Sequence, residues 1–208
     1  MSVKCEKIHK LVNSLKRHAF PFADSAIPSD GVYILFQKGE EGHGNDRIVR
    51  VGTHTADAKL LSRLKQHFIR ENKDSSIFRK NIGRAFLNKE NDPFLKYWNI
   101  KMSTKEDREK YSGKIDFSYQ KKMEERVSVY IRSNFSFSVI KVNSREERLD
   151  IEKKLIGTVS WCNECGASEN WLGRYSPVRK IAESGLWLVN GVYGEVFGEE
   201  EVERIGGN

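Results

Sequence analysis

Two short apolar runs, separated by a glycine-rich loop and followed at once by an amphipathic helix, constrain this chain more than any other feature. Residues 31–36 read GVYILF and residues 47–52 read RIVRVG, with Gly39, Gly42 and Gly44 in the loop between them. Such runs, bounded by turn residues, predict a β-hairpin. Val32, Ile34 and Phe36 alternate with Tyr33 and Leu35, so Tyr33 faces away from the other three. By the same alternation Arg50 shares a face with Ile48 and Gly52. In the helix LLSRLKQHF, Leu60, Leu61, Leu64 and Phe68 form the stripe for burial, and Thr55 or Asp57 stands where a cap is needed. Arg63 and His67 are four residues apart, which stacks them on a neighbouring face where both reach one ligand.

The remaining segments dress this unit. Ile8, Leu11, Val12 and Leu15 recur at helical spacing between lysines and predict a surface helix over about 3–18. Residues 74–87 read as a second, basic helix with Ile77, Phe78, Ile82, Ala85 and Phe86 inward. Phe135 to Val142 alternates as a third strand, and Ser144 with Glu147 has capping-box spacing for a helix starting at Arg145. The fold class is therefore α/β in the α+β sense: a small three-stranded antiparallel sheet flanked by helices. We divide the chain into an N-terminal helix and linker over 1–30, a core over 31–87 and 135–160, a charged helical insertion over 88–134, and an aromatic, glycine-rich extension over 161–208.

Charge narrows the partners. Lys and Arg number 36 against 29 Asp and Glu, a formal +7, which suits an acidic partner such as nucleic acid and equally suits ordinary solubilising charge. The N-terminus lacks a signal-like apolar core and no run is long enough to cross a bilayer, so the chain reads as soluble and cytoplasmic, without membrane contact. Cys5, Cys162 and Cys165 are too few for a secreted disulfide framework. Cys162 and Cys165 have CxxC spacing, half of a zinc site, with Cys5 remote, and the pair reads as reduced thiols.

Glu152 is the most informative residue outside the hairpin. Leu149, Leu155 and Ile156 lie three before, three after and four after it, which sets a carboxylate within an apolar stripe. A buried carboxylate must be paired, protonated or bound to a cation. A salt bridge to Arg63 or Arg148 and a metal site are both open on the residues alone. Likewise Tyr33 reads as an ordinary strand tyrosine, and Arg63 and His67 as a solvated helix face, when each is taken singly.

Taken together, Gly31-Val32-Tyr33, Val51-Gly52, Arg63 and His67 resemble the GIY-YIG nuclease family. There a G-I/V-Y strand and a Y-I/V-G strand form a hairpin, the next helix carries arginine and often histidine, and a glutamate on the helix after the third strand binds a divalent metal. Glu152 occupies that last place. Arg50 departs from the pattern, standing where the family has its second tyrosine.

The resemblance implies a metal-dependent DNA endonuclease, similar to stand-alone restriction endonucleases of the family, using one Mg²⁺ or Mn²⁺ and leaving 5′-phosphate and 3′-hydroxyl ends. It implies that Tyr33 positions or deprotonates the attacking water, Glu152 holds the metal, Arg63 stabilises the equatorial charge and His67 carries a proton or binds phosphate. A cation at Arg50 is expected to stabilise hydroxide or phosphate. For the asparagine that closes the family's site, Asn170 is preferred to Asn163. Lys65, Arg70, Arg79, Lys80 and Arg84 are expected to track DNA phosphates, and a homodimer would suit cutting both strands of a symmetric site. The alternative is a catalytically inactive nucleic-acid-binding module of the same fold, silenced at Arg50; a purely structural domain is the third reading.

Overall fold

The computed structural model describes residues 2–205, the side chain of Arg204 excepted. Met1 and residues 206–208, the extreme ends of the first and last spans drawn above, lie outside the described residues. The hairpin forms as expected from β2 (Gly31–Gly42) and β3 (Asn45–Gly52), and β4 (Phe135–Lys141) pairs with the other side of β2. A two-residue strand, β1 (His18–Ala19), pairs with Ser136 and Phe137, so the antiparallel sheet has four strands in the order β1-β4-β2-β3. The added strand was too short to leave a periodic signal.

Both faces of the sheet are covered, which accounts for the near-continuous apolar character of GVYILF. On one face Tyr33, Leu35, Val49 and Phe137 pack against α2 (Leu60–Phe68), α3 (Ile77–Lys89) and α6 (Phe117–Asn134). On the other, Val32, Ile34, Phe36, Ile48 and Ile140 pack against α1 (Ser2–Ser14) and α7 (Arg145–Ser160). The charged segment 88–134 has few apolar residues but concentrates them. Trp98 from α4 (Leu95–Trp98), with Met123, Val127 and Ile131 from α6, joins the first of these cores. The helix α5 (Lys105–Tyr111) contributes no buried residue and is closed by a Thr104–Asp107 capping box. Two short helices, α8 (Arg179–Ser184) and α9 (Glu199–Ile205), complete the C-terminal part.

Helix ends are satisfied in two different ways. At α7 the Ser144 hydroxyl accepts from the Glu147 amide at 3.3 Å, as its spacing predicts. The start of α2 departs from expectation: neither Thr55 nor Asp57 caps it. The Leu60 amide donates to the Ser29 carbonyl at 3.3 Å, and Asp57 is drawn instead to Arg148 at 3.0 Å. A buried arginine competes better for that carboxylate than a backbone amide does.

Candidate active site

One of the two register shifts in the hairpin aims the site. Leu35 pairs with Arg50 and Phe36 with Ile48, leaving Val49 as an extra residue in β3. This bulge shifts the alternation, so Arg50 lies with Gly52 on the face of Tyr33 while Ile48 stays on the other. The shared face of Arg50 and Ile48 expected from simple parity is thereby corrected. Arg50 is 4 % exposed; its guanidinium donates to the Trp187 carbonyl, lies 5.3 Å from the centre of the Phe78 ring, and keeps a buried Nε without a partner.

Tyr33 pairs across the hairpin with Gly52, and its ring occupies the space that a side chain there would need. A Cβ at Gly52 would fall 2.2 Å from the Tyr33 hydroxyl. The glycine of the second motif is thus required for close approach. Gly52→Ala is expected to cost about 1–3 kcal/mol through overpacking and to displace the tyrosine, read as a lowered unfolding midpoint together with lost activity. An unchanged midpoint would show that Tyr33 has room to move.

The Tyr33 hydroxyl is hydrogen-bonded to His67 Nε2 at 2.8 Å, and His67 Nδ1 to Ser76 Oγ at 2.7 Å. Ser76 is the N-cap of α3, so the chain of bonds joins the hairpin to two helices. Tyr33 and His67 are both fully buried. Burial, followed by the charges of Arg50, Arg63 and Arg79, holds the imidazole well below its ordinary range, so it is neutral at pH 7. Because the unfolded chain takes up this proton first, stability is present above about pH 6.5 and is lost as pH falls below it. His67→Gln should flatten that part of the pH–stability curve; an unchanged slope would contradict the assignment.

Beside this network, a cleft of about 540 Å³ opens at the edge of the sheet. Arg50, Arg63, Asn81, Glu152 and Lys153 supply its polar lining, and the segment Trp187–Gly191 forms one wall. That wall is tied to the bulge, for the Trp187 amide donates to the Val49 carbonyl at 2.8 Å. Glu152 Oε1 accepts from the Thr53 amide at 3.1 Å, and Glu152 takes part in no ion pair among the described residues. Burial raises its carboxyl pKa against the opposing pull of Arg50, the Thr53 amide and Arg63. Arg148, one partner allowed by the sequence, is instead held by Asp30 and Asp57. Arg63 lines the cleft, donates to Gln66 at 2.9 Å, and also borders a second hollow formed by Thr53, His54 and Lys59.

The other expected residues divide. Asn170 is exposed and does not line the cleft, where Asn81 and Asn190 stand instead. Arg70 is exposed, Lys65 is paired with Asp24, and half-buried Arg84 donates to Asn81 and Asn99. Arg79 and Lys80 are corrected as phosphate-tracking residues. Arg79 is fully buried on Glu124 and Ser128, and Lys80 is buried against Asp74, so neither is offered to a partner. The cleft wall was missed from sequence; its signal was the apolar, glycine-bounded run SGLWLVNG at residues 184–191.

Two guanidinium groups flanking an unpaired carboxylate define a site suited to a phosphate and a cation together. The fold that carries it, a hairpin followed by an Arg/His helix with the carboxylate on the helix after the last core strand, points to one family. The family model described as GIY-YIG domain matches residues 6–204, and the chain belongs to that family, part of a nuclease superfamily whose members are generally endonucleases. No curated protein and no solved structure matched the chain. No helix among the described residues is long and apolar enough to cross a membrane.

Proposed function

We propose that this protein is a metal-dependent DNA endonuclease that hydrolyses phosphodiester bonds in the cleft at Glu152. The observation that carries this reading is the Glu152 carboxylate: it faces the cleft between Arg50 and Arg63 without an ion-pair partner among the described residues. One carboxylate with open space around it fits Mg²⁺ or Mn²⁺, which keep most of their waters and share phosphate oxygens. Bound there, the metal supplies charge neutralisation on the scissile phosphate and the departing 3′ oxygen.

The protein's own groups do the rest. Arg63 and Arg50 bind the phosphate oxygens and carry the negative charge that grows on them during attack. Arg50 is fitted for this by its fixed guanidinium, held by the Trp187 carbonyl and stacked near Phe78. A cation there takes over the charge-stabilising part of the missing second tyrosine. Tyr33, fully buried and not among the residues lining the cleft, is bonded to neutral His67, and it takes a proton from the attacking water as it hands its own to His67 Nε2. Arg70, exposed beyond the end of α2, meets the DNA backbone, and Lys65 and Arg84 contribute by exchanging their present partners for phosphate.

The test is incubation of supercoiled plasmid and mixed genomic DNA with purified protein in Mg²⁺, Mn²⁺ or chelator. The expected result is nicking or linearisation that the chelator stops, with ligatable 5′-phosphate ends. Salt-sensitive DNA binding without cleavage in any metal would overturn it in favour of an inactive binding module.

A further inference from the structure

The chain's three cysteines, scattered in sequence, meet at one point. Cys5 lies on α1, and Cys162 and Cys165 follow the end of α7. Cys5 Sγ and Cys165 Sγ are 3.5 Å apart although separated by 160 residues. His43, at the tip of the β2–β3 hairpin, brings Nε2 to 3.3 Å from Cys162 Sγ. Ligand atoms of Cys5, His9, His43 and Cys165 all lie within 4.8 Å of one another, and Cys162 joins this group through His43. We infer that Cys5, His43, Cys162 and Cys165 form a structural Zn²⁺ site of the Cys₃His type, separate from the cleft at Glu152.

The spacing suits the metal. A tetrahedral zinc with Zn–S near 2.3 Å and Zn–N near 2.0 Å sets its ligand atoms roughly 3.5–3.8 Å apart. The Cys5–Cys165 and His43–Cys162 separations, 3.5 and 3.3 Å, lie close to these values. The CxxC pair supplies half of such a site, and the fold delivers the other half from two remote segments.

His9 is the competing fourth ligand, because its ring also lies in the cluster. Its nitrogens are already employed. Nδ1 is 2.9 Å from the Cys5 carbonyl, and Nε2 accepts the Ile48 amide at 3.3 Å. That pattern describes a neutral imidazole with no lone pair to spare, packed beside the site. His43 is free of such commitments on its Nε2 side, and its Nδ1 lies 4.0 Å from the exposed Glu164 carboxylate, beyond hydrogen-bond reach.

The backbone around His43 is shaped for this approach. His43 has φ +52°, in the left-handed region that side chains seldom occupy. A Cβ on the preceding Gly42 would lie 2.8 Å from Cys165 Cβ, so a larger residue would push the hairpin tip off the cysteines. Zinc at this point ties α1, the hairpin tip and the end of α7 together. The hairpin and α7 are the elements whose other parts carry Tyr33, Arg50 and Glu152; Cys162 lies roughly 15 Å along from Glu152 at helical rise.

Metal analysis of tag-free full-length protein, purified in reducing buffer without chelator, tests the site directly. We expect about one zinc per chain, bound as folding metal. Reduced, zinc-stripped protein titrated with Co²⁺ should show thiolate-to-cobalt charge transfer and the visible bands of a tetrahedral centre. Cys162→Ser should lower zinc content about tenfold or more, whereas His9→Gln should keep it. Zinc far below stoichiometry with no Co²⁺ spectrum would overturn the site, as would an intact mass showing a disulfide in freshly purified protein. Zinc retained in Cys162→Ser and lost in His9→Gln would overturn the ligand set. DNA cleavage enters none of these readouts, so the site stands or falls apart from the nuclease reading.

Discussion

Glu152→Gln is expected to reduce metal-dependent cleavage by about 10³-fold, while raising the stability of the metal-free protein at pH 7. The first effect follows from removing the cleft's unpaired carboxylate. The second follows from its raised pKa, which burial causes. Where a folded carboxyl holds its proton more tightly than the unfolded chain, stability falls as pH rises through the ordinary value near 4.5 toward the folded one. Above the folded value the carboxylate is ionised in both states and the full penalty is present. Glutamine keeps the acceptor for the Thr53 amide and carries no charge to desolvate. Thermal unfolding in chelator should therefore show the variant at or above the wild type, and added Mg²⁺ should stabilise only the wild type. A variant that melts lower would mean that Glu152 belongs to an ion pair rather than to a metal site.

Arg79→Ala is expected to destabilise the protein by about 3–5 kcal/mol, the cost of stripping a partner from a buried charge. Arg79 donates to the His67 carbonyl at 3.1 Å, to Glu124 Oε2 at 3.1 Å and to Ser128 Oγ at 2.8 Å, with no exposed surface. Glu124 also accepts the Lys73 amide, so its carboxylate is fixed where the lost charge was needed. The joint variant Arg79→Met with Glu124→Leu should recover much of the loss, since it removes both desolvated charges. Chemical unfolding of the three variants provides the numbers. A well-folded Arg79→Ala with weakened DNA affinity would return this residue to the binding surface.

The contrast between Arg63 and Arg79 explains what the sequence made legible. The hairpin, the helix after it and the place of Glu152 rest on local periodicity and on order along the chain, and both survive folding. Burial of a basic residue depends on what arrives from elsewhere. Arg79 sits on a helix with an unremarkable pattern of basic positions, and only the packing of α6 across it removes it from solvent. The bulge at Val49 was hidden for a related reason. RIVRVG reads equally well with or without an extra residue, and the register is set by pairing with Leu35 and Phe36. The cleft wall at Trp187–Gly191 and the meeting of Cys5 with Cys165 are contacts across the length of the chain, for which spacing carries no signal. Asn170 illustrates the converse: its neighbours Trp171 and Leu172 are buried as a packed turn, but the asparagine itself faces outward.

The most direct test of the central claim is the Mg²⁺ dependence of single-turnover DNA cleavage by wild type and Glu152→Gln at equal DNA occupancy. The account predicts a wild-type rate that rises with Mg²⁺ and saturates, and a variant that binds DNA but gives no saturating response. Cleavage by the variant at the wild-type rate, with the same Mg²⁺ dependence, would contradict it and place the chemistry elsewhere in the protein.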